Sequence, residues 1–117
     1  MSAITRYGMG RRLSEAAVFN GVVFLAGMVP EGGDRDIRAQ TADVPAQIDA
    51  QLAACGSDRT RLLRAQIILA VIADIAAMNE VWDAWVVPGH APPRATVQAA
   101  LADPAWRIEV VVTAAQA

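Results

Sequence analysis

Arg94 and Glu109 are the two residues of this sequence whose types and spacing could do chemistry. Arg94 follows a proline-rich loop at residues 88–93, and Glu109 lies fifteen residues later inside an apolar stretch. A planar guanidinium can bind both oxygens of a carboxylate at once, and a glutamate among apolar residues can take and return a proton. Together the two residues could hold a small carboxylic acid and move its protons. On residue type alone, a surface or interface salt bridge stays open for Arg94. For Glu109, an outward-facing position paired with Arg107 or with a cross-strand arginine stays open.

The charged residues exclude several classes of site. All ten basic residues are arginines, so no lysine can form a Schiff base, act as a general base or bind phosphate in a Walker-type loop. The net charge is −2, and we take the cluster of Arg59, Arg61 and Arg64 as the largest basic one and interpret it as a solvated strand entrance. We therefore predict that the protein does not bind nucleic acid.

The chain length and the single cysteine and histidine limit the number of domains and the possible disulfides and metal sites. A chain of 117 residues predicts one domain, residues 1–117, with one core. Cys55 can form no internal disulfide, and we interpret it as a buried residue at a helix end. His90 has no partner at ligand spacing, so we expect no metal site and a hydrogen bond that orders its loop. No signal peptide or bilayer-length apolar run is recognisable, which predicts a cytoplasmic protein without membrane contact.

Local patterns predict the elements in the first half of the chain. Asn20 and Gly21 separate two apolar stretches, which predicts a hairpin of strands at residues 13–19 and 22–27. Apolar or small residues then recur at three- and four-residue steps, which predicts an amphipathic helix over residues 36–55. Pro45 either kinks this helix or moves its start to about Asp43, and the sequence leaves both open.

Four further elements are predicted in the second half: a strand at residues 62–72, a helix at 74–87, and strands at 94–101 and 106–114. Alanines in the first of these leave a helix open as an alternative. Asp74 is predicted to cap the second helix, and Trp82 and Trp85 are predicted to face the core. The order is ββαβαββ, an α+β domain with two helices on one face of a sheet.

Three strands carry consecutive apolar residues, at 22–25, 67–69 and 110–112. Successive side chains of a strand point to opposite faces of the sheet, so both faces require burial, whereas two helices cover only one. The simplest cover for the second face is another copy of the chain. We therefore predict a homo-oligomer with clefts at its subunit boundaries.

Over residues 12–115 the sequence resembles the RidA/YjgF family of reactive-intermediate deaminases. The resemblance is carried by Pro93-Arg94-Ala95-Thr96-Val97-Gln98, Arg107-Ile108-Glu109-Val110, Ala26-Gly27-Met28-Val29-Pro30, Gln40-Thr41 and Met78-Asn79-Glu80-Val81-Trp82. Residues 76–92 are especially similar to the YoaB-like branch.

The resemblance implies a fold, an assembly and an activity. The fold is chorismate-mutase-like, and the assembly is a homotrimeric barrel with active sites between subunits. The implied substrates are 2-imino acids and their enamine tautomers, such as 2-aminoacrylate, which are hydrolysed to 2-keto acids and ammonia. No metal or organic cofactor is implied.

The resemblance also implies roles for five residues and one further replacement, at Ala26. Arg94 matches the arginine that binds the substrate carboxylate, and Glu109 matches the glutamate that handles the attacking water. Thr96 stands where many members have a cysteine whose backbone is important. Leu13 replaces a tyrosine and Met28 replaces a glutamine, and Ala26 likewise replaces a serine. We therefore expect Thr96, Leu13 and Met28 to contact substrate in a pocket that is more apolar than in other members.

Two other functions stay open at this point. The first is a non-catalytic trimer that binds and senses a keto acid or similar metabolite. The second is a nuclease, against which the absence of lysine and of a basic, aromatic-lined groove argues.

Overall fold

Six strands form one sheet, and two helices pack on one of its faces. A computed structural model describes residues 3–33 and 36–117. The elements are β1 Thr5–Tyr7, β2 Ala16–Phe19, β3 Val22–Leu25, α1 Ile37–Ala54, β4 Leu62–Leu69, α2 Ile75–Trp85, β5 Arg94–Gln98 and β6 Ile108–Ala115. The strand order is β1-β2-β3-β6-β4-β5, in which only β4 and β5 are parallel. The predicted α+β class is confirmed, with β1 as an additional strand that was not predicted.

The predicted hairpin is present as β2 and β3. Asn20 and Gly21 form its turn with φ angles of 51° and 76°, the left-handed conformation that a two-residue hairpin turn requires. The first strand was predicted too long, because residues 13–15 belong to the β1–β2 loop. This loop is held by a hydrogen bond from the Glu15 N–H to the Tyr7 carbonyl (2.9 Å) and by one from the Gly10 N–H to the Leu13 carbonyl (2.8 Å).

The first helix begins at Ile37 and continues through Pro45, so a start near Asp43 is wrong. Asp36 caps the helix by accepting a hydrogen bond from the Ala39 N–H (3.2 Å). Asp43 has a different role, since its carboxylate accepts a bond of 2.7 Å from the Glu31 N–H and ties the preceding loop to the helix.

The second helix confirms the predicted core positions of Trp82 and Trp85, which are 5% and 8% exposed. Asp74 lies at the N-cap position, as predicted, but its side chain makes no capping hydrogen bond to the helix. Its two oxygens instead accept bonds of 2.7 and 3.1 Å from the Arg107 guanidinium. A charge-assisted pair with two bonds is stronger than a single capping bond to a backbone N–H.

The two faces of the sheet differ in what covers them. Alternate residues such as Val23, Ile67 and Val110 lie under the helices and are fully buried. Residues 62–69 form a strand, as predicted, and not a helix. On the other face Phe24 is 49% exposed and Val97 is 41% exposed. Below we call this second surface the open face.

Cys55 lies at the end of α1, and His90 lies in the loop that follows α2. Cys55 is buried where α1 ends, as predicted, and burial raises the pKa of its thiol. The His90 N–H donates to the Val87 carbonyl at 2.9 Å within an exposed loop.

β5 ends at Gln98, three residues earlier than predicted. The Gln98 side chain accepts a hydrogen bond from the Ile72 N–H. No helix in residues 3–33 or 36–117 has the length and apolar character needed to cross a membrane.

Candidate functional site

Three of the predicted site residues line one pocket. Leu13, Met28 and Glu109 border a cavity of about 460 Å³ beside the segment that follows β3. Its other walls include Glu15, Ala26, Glu31, Gln47 and Trp106. A cavity of this size is large enough for a small organic acid.

Glu109 reaches the pocket from the open face of the sheet. The β4–β6 register places it opposite Ile68, and its carboxylate lies against Gly27. No hydrogen bond or ion pair among the described residues uses this carboxylate, so it can bind water or a ligand. Pairing with Arg107, which the sequence left open, does not occur, because Arg107 binds Asp74.

Gly27 is a site residue for which sequence reasoning gave no role. A Cβ at this position would lie 2.2 Å from the Glu109 Oε2 atom. The Glu109 carboxylate can therefore keep its observed position only if residue 27 has no side chain. The close approach arises between separate strands, and no local sequence signal indicates it.

We predict that Gly27→Ala moves the Glu109 carboxylate without unfolding the protein. The contacted atom is the end of a flexible side chain, so the carboxylate can yield at small energetic cost. We expect the melting temperature to change by less than about 4 °C, which corresponds to about 1 kcal/mol, while turnover of a bound substrate falls at least about tenfold. Calorimetry and steady-state kinetics on the same preparation test this. Unchanged kcat would mean that the observed carboxylate position is unimportant.

A second cavity adjoins the first at Leu13. It measures about 390 Å³ and is bordered by Arg6, Arg11 and Arg12 of β1 and the β1–β2 loop. The sequence interpretation missed this cluster. Two arginines of the cluster that the sequence predicted make other contacts. Arg59 pairs with Asp49 at 2.8 Å, and Arg61 bonds to the Ala115 carbonyl.

Arg94 and Thr96 lie together, but away from Glu109. The β4–β5 register pairs them with Ala65 and Ile67, which puts both on the helix-covered side of the edge strand β5. The Arg94 guanidinium lies over the Trp82 ring, 5.6 Å from its centroid. Glu109 lies on the opposite face of the sheet, two strands and three residue positions away from Arg94. The spacing of strands and the rise per residue put the two Cα atoms about 14 Å apart.

Within the described part of the chain, two buried polar side-chain atoms lack a hydrogen bond, one on Thr96 in this group and one on Asn79 in α2. The Thr96 hydroxyl and the Asn79 carboxamide oxygen have no hydrogen-bond partner among residues 3–33 and 36–117. Leaving such an atom without a partner costs free energy, so each marks a place where a ligand or a neighbouring molecule can bind. Across the same residues, no group of three or more His, Cys, Asp or Glu side chains is arranged to hold a metal ion.

Sequence comparison places this chain among known proteins. The sequence profile of the family described as Endoribonuclease L-PSP matches residues 4–116. The chain is 46% identical over 112 residues to the RutC family protein YoaB of Escherichia coli, covering 96% of this chain and 97% of that protein. The chain belongs to the YjgF/RidA family.

Structural comparison agrees with this membership. A solved YjgF-family protein from Neisseria meningitidis superposes on this chain with a TM-score of 0.96 at 50% identity, covering 98% of this chain and 96% of that one. A more distant relative is named Reactive Intermediate Deaminase A of Arabidopsis thaliana. It is 32% identical over 103 residues, which cover 83% of this chain and 54% of that protein.

Leu13, Ala26 and Met28, which the sequence resemblance indicated as apolar replacements, all line the cavity that holds Glu109. These three side chains offer a ligand no hydrogen-bond partners other than the weakly accepting sulfur of Met28.

Proposed function

We propose that this protein hydrolyses 2-imino acids and their enamine tautomers to 2-keto acids and ammonia, in sites that neighbouring copies of the chain build together. The observation that carries the proposal is the Glu109 carboxylate, which faces a pocket of suitable size and has no partner among the described residues. The name of the Arabidopsis relative, a reactive-intermediate deaminase, supports the same chemistry.

A second copy of the chain is needed because the two charged groups are separated in one copy. Arg94 lies on the β5 edge of the sheet, whereas the Glu109 pocket extends to the β1–β2 loop near the other edge. Bringing the β5 edge of one copy to the pocket of the next is a head-to-tail contact, and such contacts form a ring when the rotation between copies closes. A trimer is the ring that the family resemblance favours. Exposed Phe24 and Val97 on the open face favour burial between copies.

Arg94 supplies binding and orientation in this mechanism. Its guanidinium donates two parallel hydrogen bonds to the substrate carboxylate, which fixes the adjacent C=N carbon in space. Holding that carbon beside a water molecule removes much of the entropic barrier to attack.

Glu109 supplies proton transfer. It accepts a proton from the attacking water as the new C–O bond forms and returns it to the imine nitrogen, which gives a carbinolamine. It then takes the proton of the new hydroxyl group as the C=O bond forms and passes it to nitrogen as the C–N bond breaks, so that ammonia and a 2-keto acid leave. Each turnover consumes one water and returns the carboxylate to its starting state, so the cycle requires no metal or organic cofactor.

Mixing two inactive variants tests whether neighbouring copies share a site. We expect Arg94→Ala and Glu109→Gln chains each to lose activity, and we expect activity to return when the two are unfolded and refolded together. A site then needs Arg94 from one copy and Glu109 from its neighbour, so about a quarter of the sites in an equal mixture are intact. The measurement is ammonia release while an amino-acid oxidase generates imine.

The control for this experiment is each variant refolded alone, together with light scattering of the parent protein. Failure to recover activity in the mixture, or a parent that is monomeric at micromolar concentration, would contradict shared sites.

The second candidate is a non-catalytic trimer that binds a keto acid and passes the signal to a partner. The apolar replacements Leu13, Ala26 and Met28 favour it, because they remove polar groups that could order the attacking water. The two functions differ in one measurement. A sensor binds 2-oxobutanoate with an Arg94-dependent affinity and does not accelerate imine hydrolysis, whereas the deaminase does both.

A further inference from the structure

We propose that Trp82 is a positioning residue for Arg94. Its indole face fixes the guanidinium plane so that the N–H edge is presented to a substrate carboxylate. This inference rests on the proposed role of Arg94 as the carboxylate anchor, and it assigns to Trp82 a function beyond packing.

The geometry supports this role directly. The Arg94 Cζ atom lies 5.6 Å from the centroid of the Trp82 ring, within the range of a cation–π interaction. Trp82 is 5% exposed and is held within the helix layer, whereas Arg94 is exposed on an edge strand. A long side chain on an edge strand has many rotamers, so contact with a buried ring restricts it.

The chemistry of the contact explains why an aromatic partner suits an anchor. Among residues 3–33 and 36–117, no carboxylate pairs with Arg94. An acidic partner would occupy the N–H donors and compete with the substrate, whereas an indole ring has no hydrogen-bond acceptor that would compete for them. The in-plane donors then remain available for two parallel bonds to a carboxylate.

The same helix provides a matched control. Trp85 is 8% exposed and also lies beneath an arginine, since the Arg59 Cζ atom is 5.5 Å from its ring centroid. Arg59 already pairs with Asp49 at 2.8 Å and lies outside the proposed site. Replacing Trp85 therefore removes a similar volume from α2 and a similar cation–π contact, without removing the ring under Arg94. It also removes the ring contact with Trp82, whose centroid is 5.2 Å away, and the indole N–H bond to Asp49 (3.1 Å), so it is the more severe packing change of the two.

The experiment compares Trp82→Leu and Trp82→Phe with Trp85→Leu. We expect Trp82→Leu to raise KM and to weaken 2-oxobutanoate binding about tenfold while kcat stays within about threefold. Trp82→Phe keeps an aromatic face and should retain most of the affinity. Trp85→Leu should lower the melting temperature at least as much as Trp82→Leu and change the affinity less than about threefold. Calorimetric titration gives the affinities, and the oxidase-coupled assay gives KM and kcat.

A double-mutant cycle separates positioning from general loss of packing. If Trp82 acts through Arg94, adding Trp82→Leu to Arg94→Ala should change 2-oxobutanoate affinity no further. Additive effects, or equal loss of affinity in Trp85→Leu, would overturn the positioning role. Absence of turnover in the parent protein would overturn the proposed function alone, because 2-oxobutanoate affinity still measures the role of Trp82.

Discussion

Arg94→Ala is expected to lower kcat/KM for 2-imino acids by about a hundredfold or more. A charge-assisted pair in a cleft is worth about 3 kcal/mol, which corresponds to a factor of this size. The affinity for 2-keto acids should fall by a similar factor, because substrate and product share the carboxylate. Oxidase-coupled ammonia release measures the first quantity, and calorimetric titration with 2-oxobutanoate measures the second.

Two variants make the Arg94 result specific. Arg38→Ala also removes an arginine, but Arg38 pairs with Glu80 on the exposed surface of the helices, so activity should be unchanged. Arg94→Lys keeps the charge and loses the planar pair of donors, so it should recover only part of the affinity. A fully active Arg94→Ala protein would mean that another cation binds the carboxylate. Arg6, Arg11 and Arg12 are candidates, because the cavity that they border adjoins the Glu109 pocket at Leu13.

Elements whose signals are local could be predicted from the sequence. The Asn20-Gly21 turn requires two residues with positive φ, and few residue pairs supply this, so the hairpin was recognisable. The first helix was recognisable from its apolar spacing, although the local rule for Pro45 left its start open. The strand β1 escaped prediction because it has only three residues and no alternating pattern.

The arrangement of the site could not be predicted, because it depends on the strand order. Arg94 and Glu109 are fifteen residues apart in sequence, and the resemblance assigned both to one site. In the sheet, β6 inserts between β3 and β4, whereas β5 pairs in parallel with the far side of β4. These long-range pairings put the two side chains on opposite faces. No local pattern in either strand carries that information.

Contacts between distant residues also changed the interpretation of single residues. Asp74 has the residue type and position of a helix cap, but Arg107 lies close enough to take its carboxylate. Trp82 was predicted as a core residue on its spacing alone, and it is buried. Its contact with Arg94 depends on where β5 lies, so a buried core residue also contacts the proposed carboxylate anchor.

Glu109→Gln is expected to lower turnover by about 10²- to 10⁴-fold, the usual contribution of a general acid or base. Glutamine keeps the shape and hydrogen-bonding capacity of the side chain but cannot accept and return a proton. The affinity for 2-oxobutanoate should therefore change little, which separates this variant from Arg94→Ala. Single-turnover kinetics, with calorimetric titration of the same preparation, measure both quantities.

Glu15→Gln is the matched control for Glu109→Gln, because Glu15 lines the same cavity and its carboxylate belongs to a different strand connection. We expect it to cost less than about tenfold in kcat, since one carboxylate is enough to take and return the proton. A larger effect of Glu15→Gln than of Glu109→Gln would reassign the base within the pocket. If Glu109→Gln stays fully active while Arg94→Ala is inactive, the water is activated by the substrate's own carboxylate or by a backbone carbonyl near Thr96. Catalysis would then consist of orientation by Arg94 alone.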